Sequence, residues 1–380
     1  MKFSALAFST LLLASQTLLG FVELDRGELL LETRFQAVHD SNIRGNNIKE
    51  SDTIFSVDPT LRYERSSGRG SLGASAGFNI MRFNDFSEFD SENFHAEFNL
   101  GFPVARGSPL AGGVNFGYIE DTRVDQFVND LVSSERTSFG LNGQYRVRQK
   151  ISVRGDLSFS DNKTATGNFS DSQDKSARAG IIIHDVWQSV GVTVDYRIRR
   201  LKTSGGTVER NDKDKSIFIG LTGQLLPEHI FHKLEAYASF SMQKIDSSST
   251  GGQNNRSAVG YDAQLSWEAR PTTNINLSFS KDHQVTINDE IVENSNWSLG
   301  VQQQFSQLMT GSLNAVWRKL NYIGGLNRND DRFGVTASLA YVLGRNWSAG
   351  LNVSYDDSNS NEDRFNYDRL QTGIYSTFRF

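Results

Sequence analysis

The stretch "SVGVTVDYRIRR", residues 189–200, decides the fold class of this chain. Its apolar residues alternate with small or charged ones, so that Val194 and Tyr196 share one face and Asp195 and Arg197 share the other. A repeat of two residues predicts a β-strand, because the apolar face of a helix repeats every three to four residues. An arginine in the middle of a bilayer costs about 2–4 kcal/mol, so in a membrane the charged face must turn toward a polar interior.

Segments with the same alternation recur from residue 25 to the C-terminus, and we count about eighteen of them, within the range of bacterial membrane barrels. The weaker segments are residues 29–37, 53–63, 176–185, 215–224 and 311–319. Residues 177–187 and 216–226 are apolar on both faces, so the sequence leaves their register open.

The connections between these segments alternate between short and long. Short ones include "RQK" (148–150) and "GRN" (344–346), whereas long polar ones include residues 121–136, 160–175 and 201–214. This sorting is typical of outer-membrane barrels, whereas the alternative, a soluble β-sandwich or propeller, has no reason to sort its loops. The sequence therefore predicts an all-β, transmembrane, antiparallel up-and-down β-barrel of about 18 strands (16–18), with short periplasmic turns and long extracellular loops. Both termini fall on the periplasmic side.

The first residues, "MKFSALAFSTLLLASQTLLG" (1–20), have the form of a secretory signal peptide. Lys2 precedes an apolar run over residues 5–19, and small residues place the cleavage between Ala14 and Gly20. A membrane-anchoring helix is the alternative, but this run is shorter than the roughly 20 residues of a span. We expect one barrel domain over residues 21–380, located in a bacterial outer membrane and in contact with its lipid.

The composition excludes several classes of protein. A net charge of −5 without a dense Lys/Arg run argues against a nucleic-acid partner, and the absence of Cys excludes disulfides and thiolate metal sites. His229 and His232, with Glu228 beside them, lack the further ligands that a metal site needs. No nucleophile or phosphate-binding motif marks a catalytic residue, so we predict no enzyme activity, no metal and no cofactor.

Four tryptophans have outward parity, which means that they share the alternate strand positions of the lipid-facing residues. Trp267 and Trp347 lie near the periplasmic ends of their predicted strands, and Trp297 and Trp317 lie near the outer ends. Because Trp prefers the two membrane interfaces, this placement predicts an aromatic girdle.

Charged residues of inward parity concentrate on four consecutive predicted strands. They are Arg146, Arg148, Arg154, Asp156, Arg178, Asp195, Arg197 and Arg199. Neighbouring strands lie about 4.8 Å apart, so these residues could form a basic ladder that favours anions, including acidic sugar polymers. Alternatively, Asp156 and Asp195 pair with some of the arginines and neutralise the wall. The sequence does not fix the relative register of the strands, so both alternatives stay open.

Residues 39–102 resemble a known family. "HDSNIRG", "SDTIFSVDPTLRYER" and "GASAGFNIMRFNDFSEFDSENFHAEFNLGF" are similar to the N-terminal part of the putative beta-barrel porin 2 family. In that family an Asp–Asn-type opening follows the first strand, a Ser–Asp pair starts the second, and a Pro lies within it. The matching positions are Asp40, Ser41, Asn42, Ser51, Asp52 and Pro59. Without this resemblance, Pro59 would predict a bulge or an early strand end.

The resemblance implies an outer-membrane barrel, and some members are associated with the production or export of surface polysaccharide (exopolysaccharide). It thereby implies polysaccharide or components of an export system as partners. The C-terminal "YSTFRF" (375–380), with Phe378 and Phe380, resembles the aromatic signal by which barrel-assembly machinery recognises outer-membrane proteins.

Two functions are compatible with the sequence. The first is a porin-like channel that gives passage to hydrophilic solutes and is auxiliary to polysaccharide export. The second is a non-conducting structural or receptor barrel that binds ligands through its long outer loops, such as residues 121–136. Nothing in the sequence indicates an oligomeric state.

Overall fold

A computed structural model describes residues 22–24, 27–67, 70–102, 109–125, 130–165, 169–187, 189–205, 209–224, 233–249, 252–285, 291–323 and 328–380. Nearly all of these residues are in β-strands, joined by turns and two short 3₁₀ segments, Ser87–Phe89 and Asp363–Phe365. Across these ranges no helix has the length and hydrophobicity to span a membrane. The predicted signal peptide (1–20) lies outside the described residues, as do His229 and His232.

Nineteen strands follow one another along the chain. They are β1 (Val22–Leu24), β2 (Gly27–Asp40), β3 (Asp52–Ser67), β4 (Gly70–Phe83), β5 (Ser91–Phe102), β6 (Leu110–Asp125), β7 (Asp130–Arg148), β8 (Ile151–Thr164), β9 (Asp171–Trp187), β10 (Val190–Ser204), β11 (Arg210–Gln224), β12 (Leu234–Ser249), β13 (Gly252–Arg270), β14 (Thr273–Val285), β15 (Ile291–Gln304), β16 (Met309–Ile323), β17 (Asn329–Gly344), β18 (Trp347–Ser360) and β19 (Tyr367–Arg379). The short β1 pairs with the start of β2.

The strands β2 to β19 form one closed antiparallel barrel of eighteen strands. Each pairs with its neighbour in the chain, and β19 pairs with β2 through a register in which Ile374 lies opposite Ala37. Beyond the last strand residue, Phe380 and Leu31 exchange two backbone hydrogen bonds of 2.9 Å. The predicted fold class is therefore confirmed, and the strand count is at the upper end of the predicted range.

The outer face of the barrel is apolar because large side chains alternate with polar ones along each strand. On β10 and β11, Val194 lies opposite Ile219, and these side chains are 45% and 57% exposed. Side chains of this kind are exposed on most strands of the barrel, which would be a severe aggregation hazard in water. A lipid bilayer covers such a surface, which agrees with the predicted membrane location.

The two ends of the barrel differ. The turn end is the end where β7 meets β8 through residues 149–150 and where β2 begins and β19 ends; the loop end is the opposite one. Both described termini of the barrel therefore lie at the turn end, as the sequence predicts.

At the loop end, several stretches expected as loops are instead mostly strand. β6 continues to Asp125 and β7 already begins at Asp130, inside the expected loop 121–136. The expected loops 160–175 and 201–214 are shortened in the same way. Strand pairing uses only main-chain groups, so polar side chains do not stop the ladder above the apolar band.

Pro59 lies within β3 without the bulge or early end that its type predicts. It is opposite Thr33 of β2, and the register with β4 is the same before and after it, from Val57–Ile80 to Thr60–Gly77. The pairing with β4 is interrupted only at Asp58 and Pro59, where the proline has no N–H to donate.

The predicted girdle tryptophans all have outward parity. Trp267 and Trp347 lie toward the turn end, whereas Trp297 and Trp317 lie nearer the middle of β15 and β16 than expected, because those strands extend further. A row of outward rings crosses four strands, with centroid distances of 5.0, 4.9 and 5.0 Å. In order these rings are Tyr261, Phe279, Trp297 and Trp317.

The C-terminal phenylalanines are packed at the seam. The ring of Phe378 stacks on Trp347 of β18 at 5.6 Å, lies edge-on to Phe35 of β2 at 6.1 Å and stacks on Phe380 at 6.4 Å. These contacts join three strands on both sides of the closure. Recognition of Phe378 and Phe380 by assembly machinery stays a prediction.

We expect Phe378→Ala to lower the free energy of unfolding of the refolded barrel by about 1–2 kcal/mol more than Ile374→Ala, because aromatic pairs add about 0.5–1.5 kcal/mol each beyond buried area. Ile374 is a matched control, since it faces outward on the same strand and is 61% exposed. Urea titrations in detergent micelles measure both values. Equal losses would contradict a role of the aromatic contacts in holding the seam.

Candidate functional site

The inward face of the barrel is polar and accessible to solvent. Small and polar residues alternate there with the outward apolar ones on strands all around the barrel. Exposed residues of inward parity include Glu97, Asn99, Asn115, Asn142, Ser158, Asn314 and Thr336. Their exposure means that side chains of the described residues do not fill the interior at these positions. The lumen is therefore the candidate functional site.

Five of the eight predicted lumen residues come together in ion pairs on one wall. The residues in these ion pairs are Arg154 of β8, Arg178 of β9, and Asp195, Arg197 and Arg199 of β10.

The other three predicted residues stand outside these pairs. Asp156 lies directly opposite Arg178 in the register of β8 and β9. Arg146 and Arg148 lie at the end of β7, where they are exposed near the turn end. The arginines therefore do not form one continuous ladder along the wall.

Asp195 is the centre of the arrangement. Its side chain is fully buried, and it accepts hydrogen bonds from Arg154 Nε at 2.6 Å and Arg154 Nη2 at 2.5 Å. Arg178 Nη2 donates a third bond of 2.8 Å to the same carboxylate. One carboxylate thus holds two guanidinium groups from two different strands, in the forked geometry that favours arginine at such sites.

Gly180 provides the space for this carboxylate. It lies directly opposite Asp195 in the register of β9 and β10. A Cβ at Gly180 would lie 1.9 Å from Asp195 Oδ1, so any other residue would displace the carboxylate. The missing side chain of Gly180 allows Asp195 to reach across β9 to Arg154 on β8.

Further carboxylates, which the sequence did not predict for this wall, pair with the remaining arginines. Arg197 Nη2 donates to Asp214 Oδ2 at 2.9 Å, and Ser216 Oγ donates to Asp214 Oδ1 at 2.6 Å. Arg199 lies 2.6 Å from Asp174 of β9. The wall therefore alternates between positive and negative groups, and Asp195, one of the two aspartates named in the second alternative, pairs with Arg154 and Arg178.

An aromatic ring, Phe218, completes the wall. It has inward parity on β11, and the guanidinium carbons of Arg178 and Arg197 lie 4.8 and 5.0 Å from its centroid. Sequence reasoning missed Phe218 because residues 216–226 are apolar on both faces. The shared parity of Asp212, Asp214 and Ser216 was the signal that could have placed it inside. We call this set the arginine–aspartate wall: Arg154, Asp174, Arg178, Asp195, Arg197, Arg199, Asp214 and Phe218.

A second cluster narrows the loop end. Arg328, only 1% exposed, donates from Nε to Asp330 Oδ1 at 2.8 Å and from Nη2 to Asp330 Oδ2 at 2.5 Å. Its guanidinium carbon lies 3.2 Å from the ring centroid of Phe365 and 4.4 Å from that of Tyr322. These contacts tie the connection between β16 and β17 to the connection between β18 and β19. The mouth cluster comprises Val292, Leu320, Tyr322, Arg328, Asp330 and Phe365.

The connection over residues 41–51 reaches across the loop end. Buried Asp40 anchors its start by accepting from Arg369 Nη2 at 2.5 Å. At Gly45, whose φ is +59°, a Cβ would lie 2.7 Å from Val124 Cγ1 of β6 and 3.8 Å from Tyr367 Cζ of β19. These strands are not neighbours in the barrel, so the connection covers part of the opening at the loop end.

The described residues contain no group of three or more His, Asp or Glu side chains placed to hold a metal ion. The described side chains along the lumen carry guanidinium, carboxylate, amide, hydroxyl and aromatic groups. Such groups bind polar solutes by hydrogen bonds, ion pairs and stacking.

We expect Gly180→Ala to lower the free energy of unfolding by about 1–3 kcal/mol, because the added methyl forces the Asp195 carboxylate away from Arg154. Gly73→Ala is the control: Gly73 also lies within a strand and has inward parity, and a Cβ there has no atom within 4 Å. Urea unfolding of both refolded variants measures the difference. If the two substitutions cost the same, the placement of Asp195 over Gly180 is wrong.

Comparison with known proteins identifies a family in the C-terminal part of the chain. Residues 240–380 match the family described as "Putative beta-barrel porin 2". This is the family that residues 39–102 resemble, although the match does not include those residues. No curated protein matches the chain.

Several solved structures have a similar shape. OccK2 (OpdF) of Pseudomonas aeruginosa, in complex with glucuronate, is 12% identical, with 95% of this chain and 100% of that chain covered and a TM-score of 0.49. OpdK of the same organism, with vanillate, is 10% identical at the same coverage, with a TM-score of 0.48. The ferric citrate transporter FecA is 9% identical over 92% of this chain and 78% of that chain, with a TM-score of 0.47.

The family resemblance predicted from the sequence is confirmed by the match over residues 240–380. The C-terminal part of the chain is thus similar to the putative beta-barrel porin 2 family, and the fold is a closed antiparallel barrel of eighteen strands.

Proposed function

We propose that this barrel is a water-filled channel for hydrophilic solutes. The observation that carries the proposal is the exposure of inward polar residues on many strands, such as Glu97, Asn115, Asn142 and Thr336. A barrel of eighteen strands is wide enough for an aqueous channel when its interior is not filled. Polar walls lower the cost of moving a hydrated solute through the membrane.

The arginine–aspartate wall supports a preference for solutes that carry several polar groups. It offers cationic and anionic groups and the ring of Phe218, whereas a bare row of arginines would offer positive charge alone. Because Asp195, Asp214 and Asp174 each neutralise an arginine, this wall does not support strong selectivity for anions. It supports recognition of polar solutes by short-range contacts.

The residues packed at the loop end support a second candidate function, in which the barrel binds ligands from outside. The mouth cluster and the connection over residues 41–51 both occupy part of the opening. In this alternative the ligand binds at the mouth and solutes do not pass. Conductance separates the two, because only the channel passes ions.

A role in surface-polysaccharide export is a further part of the proposal, and it is supported by the family resemblance alone. It predicts that acidic oligosaccharides enter the lumen. In a planar bilayer, entry of such a chain produces transient blockades of the ionic current. Unblocked current at every oligosaccharide concentration tested would restrict the proposal to small solutes.

Single-channel recording of the refolded full-length chain in a planar bilayer tests the proposal. We expect steady, discrete current steps, because the lumen is lined by water-accessible polar groups. A heat-dependent change of gel mobility, which reports the folded barrel, is recorded on the same sample. Protein that is folded but silent would overturn the channel and leave the receptor alternative.

The same recording under a salt gradient tests whether ions pass the arginine–aspartate wall. Asp195→Asn removes the negative charge that holds Arg154 and Arg178. The anion-to-cation permeability ratio should rise roughly fourfold, as one unit charge about 10 Å away in water favours the anion and disfavours the cation by about 0.4 kcal/mol each. The control, Asp331→Asn, makes the same charge change at an exposed outward position on β17. An unchanged ratio for Asp195→Asn would show that ions do not pass this wall.

A further inference from the structure

Basic side chains are concentrated on the outer surface of four neighbouring strands, β9 to β12. They have the same outward parity as the lipid-facing residues, and they lie nearer the loop end than those residues. This basic patch comprises Lys175, Arg200, Lys202, Lys213, Lys215 and Lys244. Neither the fold nor the proposed channel accounts for it, since none of these side chains faces the lumen.

The register brings these charges directly opposite one another. Arg200 of β10 is opposite Lys175 of β9 on one side and Lys213 of β11 on the other. Lys215 of β11 is opposite Lys244 of β12. Side chains in such pairs have Cβ atoms about 4.5–5.5 Å apart, and like charges at that distance are destabilising.

The patch has little internal compensation. Within the described ranges, the one ion pair made by its members joins Lys244 to Asp246 at 4.0 Å, the limit of such a contact, and the same Asp246 lies directly opposite Lys213. The opposite side of the barrel differs: Asp357 and Asp368 also lie opposite one another, but Lys49 binds Asp368 at 2.5 Å. One carboxylate among six basic side chains leaves the patch with a net positive charge, which an external anion would balance.

The position of the patch specifies where that anion comes from. Ile198, the last apolar outward residue of β10, lies directly opposite Lys215, so the basic patch begins where the apolar band ends. Toward the turn end the same strands expose Tyr196, Ile217 and Ile219. In a bilayer, headgroups lie immediately above the hydrocarbon region, so the patch is level with the headgroups of the leaflet at the loop end.

We propose that the basic patch binds the phosphate groups of lipid headgroups in the leaflet at the loop end. Charge complementarity and continuity with the apolar band support a lipid as the occupant. Each Lys or Arg near an anionic lipid surface strengthens binding by roughly fivefold, so the row Lys175–Arg200–Lys213 contributes roughly a hundredfold. The inference is independent of whether the lumen conducts.

The test uses the refolded full-length chain and phosphatidic acid, a lipid whose headgroup is a phosphate monoester. The triple variant Lys175→Gln/Arg200→Gln/Lys213→Gln should bind phosphatidic acid roughly a hundredfold more weakly in detergent, measured by native mass spectrometry. In vesicles of phosphatidylcholine alone, the same variant should unfold at a higher temperature than the unmodified chain, because its like-charge repulsion is gone. Addition of phosphatidic acid to the vesicles should raise the unfolding temperature of the unmodified chain and leave that of the variant unchanged.

The control is Lys150→Gln/Lys319→Gln/Arg345→Gln, which removes the same charge elsewhere. Lys150 and Arg345 lie in connections at the turn end, and Lys319 is opposite Asp331. The control should respond to phosphatidic acid as the unmodified chain does. Equal loss of binding in both triple variants would overturn the patch as a site, as would undiminished binding in the patch variant. If inorganic phosphate raised the unfolding temperature of the unmodified chain as much as phosphatidic acid does, the assignment to lipid would be overturned.

Discussion

The antiparallel pairing of β19 with β2 is the interaction on which the rest of the molecule depends. Main-chain groups in the hydrocarbon region have no water to bond, so a sheet can cross a membrane only when it has no open edge. The reciprocal backbone bonds between Phe380 and Leu31 extend that pairing to the last residue. Once the sheet is closed, the alternation along each strand assigns one residue to lipid and the next to the lumen.

The polar interior follows from closure. Strand register places Asp195 opposite Gly180, and the empty position at the glycine lets one carboxylate bind arginines of two strands. Inside a bilayer, burying any one of these charges without its partner would carry a large desolvation penalty. The charges are therefore found in pairs, on the face that is turned away from the lipid. At the loop end the same principle produces a drier arrangement, in which Arg328 and Asp330 are buried between aromatic rings. The lumen thus has accessible polar residues in its middle and buried side chains at its mouth.

Much of this architecture could be predicted from local pattern, because a period of two residues needs no knowledge of distant contacts. The stretch around Val194 and Tyr196 is sufficient to separate the outward from the inward face. The partners of the arginines were not predictable in this way, since Asp174 and Asp214 reach them only through the register between strands. Phe218 was missed because its neighbours are apolar on both faces, and an aromatic residue in a lumen looks like a lipid-facing one.

The strand ends and Pro59 show a second limit. Apolar alternation marks the part of a strand that lies in the membrane, whereas the hydrogen-bonded ladder continues beyond it to residues such as Asp125 and Asp130. Pro59 interrupts the pairing of β3 with β4 only. The pairing of β3 with β2 continues through it, so the strand does not end there.

The most direct test of the account replaces either Asn142 or its neighbour Leu141 on β7 by cysteine, since this chain has no cysteine of its own. Labelling of each variant in vesicles by a membrane-impermeant thiol reagent is then measured. The account predicts rapid labelling at position 142 and protection at position 141; equal labelling of both, or the reverse order, would contradict a closed barrel with a water-filled lumen.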